Sequence, residues 1–284
     1  MPEGDTLART ADGLRPHLVG REITAARARN GVQADRLVGA TVESVEALGK
    51  NLLIRTSNRL EVRTHLRMTG TWHRYRPGER WRRPASRAVL VIEVPGAVAV
   101  CFDAPVVEIF DARAEAVHPA LANLGPDLLD DDFDQDEAVQ RLRAPERRGM
   151  AIGDALLDQR ALAGIGNVYR SEVLFIEQVD PFATVESVDD ETLGRLVATA
   201  RRLLRLNADR RHGPERRTTG GDPRAGGSAL WVYERAGRPC RRCRTSIRST
   251  TSARDLPRTV WWCPSCQASA APSASAPDAV IVAR

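Results

Sequence analysis

The sequence predicts an α+β chain of about two domains: a helix and a run of short strands first, then helices, then a cysteine-braced β-hairpin. Three observations predict it. An apolar stripe at helical spacing occupies residues 4–18 and yields after Gly20 to alternating or β-branched runs. From Pro119 the periodicity turns helical, and near the end two Cys-x-x-Cys pairs stand nineteen residues apart. At 284 residues the chain is long enough for two cores.

Taken in order, Leu7, Ala11, Leu14 and Leu18 define one apolar face of the first helix. Strand-like runs follow at 21–28, 40–48, 51–56, 59–65, 87–94, 97–102 and 106–110, separated by Gly31, Gly39, Gly49, Asn58, Gly70, Pro77-Gly78 and Pro95-Gly96. That spacing predicts a sandwich or a barrel. An acidic linker, Asp127 to Asp136, precedes helices at about 135–143 and 149–158. In Leu162-Ala163-Gly164-Ile165-Gly166-Asn167-Val168-Tyr169 two glycines separate apolar helical runs. The result is a tight turn with Asn167 at the start of the next helix, a place suited to a backbone phosphate, although a generic αα-turn carries the same pattern. Ser187 with Asp190 reads as a capping-box-like start to a helix ending near Asn207. Residues 208–228 read as an Arg-, Gly- and Thr-rich loop, and 268–284 as a disordered Ala/Ser/Pro tail.

The cysteine spacing Cys240-x2-Cys243-x19-Cys263-x2-Cys266 reads as a four-thiolate structural zinc site. Four protein ligands leave no open position, so the metal braces a hairpin and performs no chemistry. Between the pairs runs Ser252 to Thr259, a polar tip whose Arg258 is placed to clamp a phosphate. Cys101, alone in an apolar run, reads as a buried thiol. This cysteine usage fits a cytosolic metalloprotein better than a disulfide scaffold. The first twenty residues carry Asp5, Arg9, Asp12 and Arg15 with no apolar core, and no apolar run approaches membrane-spanning length.

Charge narrows the function further. Lys and Arg total 42 against 37 Asp and Glu, a net +5, with a sequence pI near 9.3. From Arg201 to Trp262 there are 16 arginines against 5 acids, as expected of a module that seeks phosphate. Lys50 is the single lysine among the 42 basic residues, in a turn between two strands. Either one lysine survives by chance, or the position needs a compact ammonium that can give up a proton, which Arg cannot do.

The chain starts Met1-Pro2-Glu3-Gly4. One reading is a plain frayed helix start with an early proline. The other begins with removal of Met1, which exposes a proline amine. An α-amino group titrates about 7.7–8.0, far below a lysine, so much of it is a neutral nucleophile near pH 7. A secondary amine attacking an aldehyde carbon gives a cationic iminium, an electron sink for elimination, with Glu3 beside it to move protons. Further on, Met68 beside Arg67 reads as core filler or as a wedge that enters a duplex when a base leaves.

Together these pieces resemble the formamidopyrimidine-DNA glycosylase and endonuclease VIII family of base-excision repair enzymes. The resemblance rests on Pro2-Glu3-Gly4, Gly49-Lys50, His65-Leu66-x-Met68-x-Gly70, Gly164-x-Gly166-Asn167-x-Tyr169, and the cysteine hairpin running into Trp262-Cys263-Pro264-x-x-Cys266-Gln267. It implies an N-terminal catalytic domain of helix plus β-sandwich (1–118), a helix–two-turn–helix DNA-binding domain (119–228), a zinc finger (229–267) and a tail (268–284). Damaged DNA would be the partner of a monomeric, cytoplasmic, DNA-associated enzyme carrying one structural zinc.

Position by position, the resemblance makes Pro2 the Schiff-base nucleophile and Glu3 the proton donor and shuttle. Lys50 touches phosphate or sugar and assists β-elimination, and Arg258 grips phosphate and assists δ-elimination. Asn167 binds backbone, while Met68 and Arg67 fill the gap left by a flipped nucleotide. The expected activity is that of a bifunctional glycosylase and abasic-site lyase. Three departures stand out. The family usually has a second Glu where this chain has Thr6, so Asp5 or a water must substitute. The Arg-Phe loop that the formamidopyrimidine branch inserts opposite the lesion is replaced by Asp103-Ala104-Pro105-Val106-Val107, which favours the endonuclease VIII branch and oxidised pyrimidines. In that branch an Arg often precedes the linker Gly-Pro-Asp; here Asn123 leads that stretch and is the candidate for the contact. The rivals are a non-catalytic damaged-DNA binder, for which Thr6 speaks, and a purine-specific glycosylase of the sister branch.

Overall fold

The computed structural model describes residues 2–209, 217–220, 230–251 and 258–268. Met1, most of the expected 208–228 loop, the polar tip 252–257 and the tail from 269 lie outside the described residues. The chain divides into two compact units. Unit 1 comprises Met1–Phe133 completed by Leu162–Gly164 and Leu204–His212; unit 2 comprises Asp134–Ala161, Ile165–Leu203 and Gly213–Arg284.

Unit 1 opens with α1 (Gly4–Leu18), whose Leu7, Ala11, Leu14 and Leu18 are buried as their spacing requires. Eight strands follow: β1 (Ala25–Ala28), β2 (Val42–Leu48), β3 (Asn51–Thr56), β4 (Leu60–His65), β5 (Thr71–Tyr75), β6 (Ala88–Val94), β7 (Ala97–Phe102) and β8 (Val106–Asp111). They form two four-stranded antiparallel sheets, β2-β3-β4-β8 and β1-β6-β7-β5. Of the two architectures open to the sequence, the sandwich forms. Leu52 and Ile54 of β3 share one core with Leu90 and Ile92 of β6, Ala99 and Cys101 of β7, and the α1 stripe. Burying each such large aliphatic side chain contributes about 1.5–3 kcal/mol. Cys101 is fully buried, as expected. The alternate residues of β7, Val98, Val100 and Phe102, pack on the sheet's other face with Tyr75 and Trp81.

Strand β5 is an addition to the seven runs expected. Its Trp72 reaches the sandwich core and its Tyr75 the satellite cluster. One buried aromatic on each face conceals the period-two pattern.

Unit 2 contains α2 (Gln135–Leu142), α3 (Ile152–Ala155), α4 (Asn167–Ile176), most of α5 (Asp190–Ala208), and the hairpin β9 (Arg248–Thr251) with β10 (Thr259–Trp262). The Asp134 carboxylate caps α2, accepting from Asp136 N at 2.8 Å and Glu137 N at 3.1 Å. Two corrections apply. The helix expected over 149–158 shrinks to a single turn: Ala151 before it bridges Thr184, and after it Leu157 N and Asp158 N donate three residues back, to Asp154 O and Ala155 O at 3.0 and 3.1 Å. The cap of α5 is Asp189, not Ser187: Asp189 Oδ1 accepts from Thr192 N at 2.7 Å, while Ser187 Oγ turns back to Thr184 O. Among the described residues, no helix is long and apolar enough to cross a membrane.

Candidate active site

In unit 1 the chain start is held by backbone. Glu3 caps α1 through its carbonyl, which accepts from Thr6 N at 2.9 Å and Leu7 N at 3.2 Å, and its side chain makes no capping bond. Gly4 N donates to Gly164 O at 2.9 Å. A Cβ on Gly4 would meet Gly164 Cα at 3.1 Å, so the Gly after Pro2-Glu3 is what allows the two backbones to approach. Glu3 and Asp5 are fully buried, and Pro2 is half-buried. Asp5 lies 3.6 Å from Arg9 and accepts from the Thr6 hydroxyl at 3.4 Å. The residue in the family's Glu position thus touches the neighbouring acid.

The Lys50 turn abuts the same segment. Gly49 takes φ +57°, and its Cβ position is 3.3 Å from Ala163 Cβ and 3.7 Å from Gly164 N. Gly49 N donates to Asp127 Oδ2 at 2.6 Å, and Asp127 Oδ1 accepts from Leu129 N at 2.9 Å. Asp127 also forms an isolated parallel bridge with Ala163. The chain start and the Lys50 turn are therefore fastened to one strip, residues 163–164, with Asp127 as the peg. In the sequence Asp127 is legible only as part of the acidic linker.

Asn51, next to Lys50, pairs in register with His65 at the end of β4. Burial pushes the His65 imidazole down to about 4, and the cations of Lys50, Arg63 and Arg67 push the same way. The ring is neutral near pH 7, and Nδ1 accepts from Arg67 N at 3.2 Å. Beyond it the turn is tight. Gly70 N donates to Leu66 O at 2.8 Å, and a Cβ on Gly70 would lie 2.7 Å from that oxygen. Arg67 adopts φ +45°, and Thr69 Oγ1 donates to Asp103 O at 3.1 Å. Met68 at the tip is 67 % exposed. The core-filler reading of Met68 does not fit that exposure. Asn123 is exposed on the connection leading to Asp127.

In unit 2, Asn167 is the first residue of α4 and is buried. Its Nδ2 donates to Thr259 O at 2.8 Å, and its Oδ1 accepts from Arg170, whose guanidinium also donates to Thr259 O at 2.8 Å. Thr259 follows Arg258 directly, so the start of α4 fixes the backbone beside Arg258. The role of Arg170, 1 % exposed, was missed in the sequence because an arginine in a helix reads as solvated surface. Glu172, also fully buried, accepts from the backbone N–H groups of Trp231 (2.7 Å), Val232 (2.8 Å) and Tyr233 (2.9 Å) and from the Thr219 hydroxyl. It clasps the segment leading into the cysteine hairpin.

The sulfurs of Cys240, Cys243, Cys263 and Cys266 lie within 4.8 Å of one another. Cys240 and Cys266 are 3.9 Å apart, and Cys243 and Cys263 3.4 Å. A tetrahedral thiolate site with metal–sulfur bonds of about 2.3 Å requires sulfurs about 3.8 Å apart, so these four residues can hold one metal ion.

The N-terminal domain model of formamidopyrimidine-DNA glycosylase matches residues 1–113, and that enzyme's H2TH domain model matches residues 124–214. A Streptomyces coelicolor protein named probable endonuclease 8 2 is 42% identical over 281 residues, 96% of each chain. A Mycolicibacterium smegmatis protein named DNA-(apurinic or apyrimidinic site) lyase Nei2 is 40% identical, over 94% of this chain and 99% of its own. The fold matches the Lactococcus lactis formamidopyrimidine-DNA glycosylase bound to abasic-site DNA, with TM-score 0.77, 21% identity, and coverage of 94% of this chain and 100% of that one.

Proposed function

The chain belongs to the formamidopyrimidine-DNA glycosylase and endonuclease VIII family, and from that premise we propose that Pro2, freed of Met1, is its covalent nucleophile. The protein is a base-excision repair enzyme, a DNA glycosylase and abasic-site lyase. The observation that carries the site assignment is the fastening of the Pro2-Glu3-Gly4 start and the Gly49-Lys50 turn to the same residues, Ala163 and Gly164.

Arg-rich surfaces draw the protein to DNA with salt-sensitive affinity. The damaged nucleotide is flipped from the stack, at least cost where pairing is already weakened. The Pro2 nitrogen bonds to C1′ as the C1′–base bond breaks; the nitrogen then gives up its proton, Glu3 gives one to O4′, and cleavage of C1′–O4′ opens the sugar to an iminium. The resulting iminium acidifies the C2′ proton, and its removal expels the 3′ phosphate. A second elimination, assisted by Arg258, expels the 5′ phosphate and leaves a one-nucleotide gap. Lys50 holds phosphate or sugar during the first elimination. Met68 and Arg67 fill the space left by the flipped nucleotide, and Asn123 and Asn167 serve backbone contacts.

The lesions are oxidised pyrimidines, a reading supported by the absence of an Arg-Phe reader at Asp103–Val107. The metal of the four cysteines is zinc, which braces a two-stranded hairpin too small to be stable alone. The enzyme acts as a monomer in the DNA-containing compartment.

Borohydride treatment with an abasic oligonucleotide is expected to lock the Met-trimmed protein to DNA, and Pro2→Gly to weaken trapping while leaving DNA binding largely intact. Equal trapping by Pro2→Gly would remove Pro2 from the mechanism. Parallel duplexes carrying 5-hydroxyuracil, thymine glycol and 8-oxoguanine test the lesion class; faster release of 8-oxoguanine would place the enzyme in the purine-directed branch.

A further inference from the structure

Between β5 and β6 the chain runs Arg76-Pro77-Gly78-Glu79-Arg80-Trp81-Arg82-Arg83-Pro84-Ala85-Ser86-Arg87, with five arginines and one acid. The segment is held as a defined arm. Trp81 stacks on Tyr75, with centroids 6.0 Å apart, and meets Phe102 edge-on at 5.8 Å. Arg82 N donates to the Tyr75 hydroxyl at 3.0 Å. Glu79 is spent locally, accepting from Arg76 N at 2.8 Å. Residues 79–85 line an open concavity of about 580 Å³.

The five charges divide into two sets. Arg83 and Arg87 pair with Asp103 at 2.6 and 2.8 Å and anchor the arm's second half. Arg76, Arg80 and Arg82 are exposed, and among the described residues no carboxylate forms an ion pair with any of them. Asp103 also serves the wedge turn, because its carbonyl accepts from Thr69, the residue after Met68. One residue thus ties the arm by its side chain and the Met68 turn by its backbone. Asp103 stands where this chain lacks the Arg-Phe loop of the sister branch.

We propose that the 76–87 arm is a second DNA-binding element, in which Arg80 and Arg82 grip the phosphodiester backbone of the duplex flanking the Met68 wedge. The inference rests on the DNA-repair reading above. Its chemistry is charge complementarity: unneutralised guanidiniums on a rigid, aromatic-anchored arm suit successive phosphates, releasing counterions and fixing register without reading sequence. The arm would supply grip on the duplex where the family's inserted reader is missing.

The test is the double variant Arg80→Ala/Arg82→Ala in the full chain, with Arg36→Ala, an exposed arginine before β2, as charge control. Affinity for an undamaged and an abasic duplex is measured from 50 to 200 mM salt. Loss of two phosphate contacts lowers the slope of log K against log salt by about 1.8, so the wild-type advantage shrinks about twelvefold across that range. An unchanged slope, or the same change per charge removed in Arg36→Ala, overturns the arm. Borohydride trapping of the wild-type protein reports separately on the catalytic reading. Normal trapping with an unchanged slope sinks the arm alone, whereas failed trapping with a reduced slope sinks the Pro2 mechanism and leaves the arm standing.

Discussion

The removal of Asp127, the peg between the Lys50 turn and the 163–164 strip, can be worked through in numbers. Its carboxylate accepts from Gly49 N at 2.6 Å and Leu129 N at 2.9 Å. A hydrogen bond to a charged group contributes about 1.5–3 kcal/mol. Two such bonds on one carboxylate do not simply add, so Asp127→Ala should cost about 3 kcal/mol. At about 2–4 °C per kcal/mol for a unit of this size, Tm falls by about 6–12 °C. Asp127→Asn keeps one acceptor and should lose about half as much. The catalytic effect comes from the turn. With Gly49 N released, Lys50 is no longer pegged to the strip that holds the chain start, and a displacement of about 1 Å costs about a hundredfold in rate. Single-turnover cleavage of an abasic duplex, measured well below the variant's Tm, isolates this from unfolding. A destabilised Asp127→Ala protein that cleaves at the wild-type rate would refute the claim that Asp127 positions Lys50.

The two remaining predictions concern charge in unit 1 and the brace in unit 2. Glu61 is fully buried, and Arg55 Nε stands 3.8 Å away. Burial pushes its carboxyl up to about 7; the Glu115 and Glu46 carboxylates add to the rise and Arg55 opposes it. Between about 4.5 and 7 the folded state therefore holds a proton that the unfolded chain has lost, so stability declines as pH rises across that window and levels off above it. Thermal melts of Glu61→Gln from pH 4.5 to 7.5 should show a flatter decline than wild type; parallel curves would count against it. Asn167→Ala removes one of the two side chains holding Thr259 O beside Arg258. Gel analysis should show δ-elimination falling several-fold relative to β-elimination, and an unchanged product ratio would show that Arg258 does not depend on this brace.

Much of this was legible in the chain itself, for identifiable reasons. Leu7, Ala11, Leu14 and Leu18 announce α1 because all four face one core, and the Cys-x-x-Cys pairs announce the hairpin because metal geometry fixes their spacing. Strand β5 was hidden because Trp72 and Tyr75 are buried on opposite faces. Pro2, Glu3 and Lys50 stood out by residue type. Asp127 did not, since it acts on a backbone N–H 78 positions away and nothing in local pattern records such a partner. Gly164 contributes only a carbonyl, which every residue has. Arg170 and Glu172 look like helix surface by composition, yet both lie inside unit 2. The cap of α5 went to Asp189 over Ser187 because two acids and a serine compete within four residues and only backbone direction decides among them.

The late arrival of Leu162–Gly164 in unit 1 has a bearing on how the enzyme is made. A ribosome releases the Pro2-Glu3-Gly4 segment first, but the carbonyl that Gly4 awaits is 160 residues downstream, counting from position 4 to 164. At about 5–20 residues per second, the gap is about 8–32 s. During that time the Gly4 N–H has no partner from that strip, and the Met1 removal that the proposed Pro2 chemistry requires is not hindered by it. On the proposed mechanism, the wiring of unit 1 thus leaves time for the first residue to be removed before Gly4 docks.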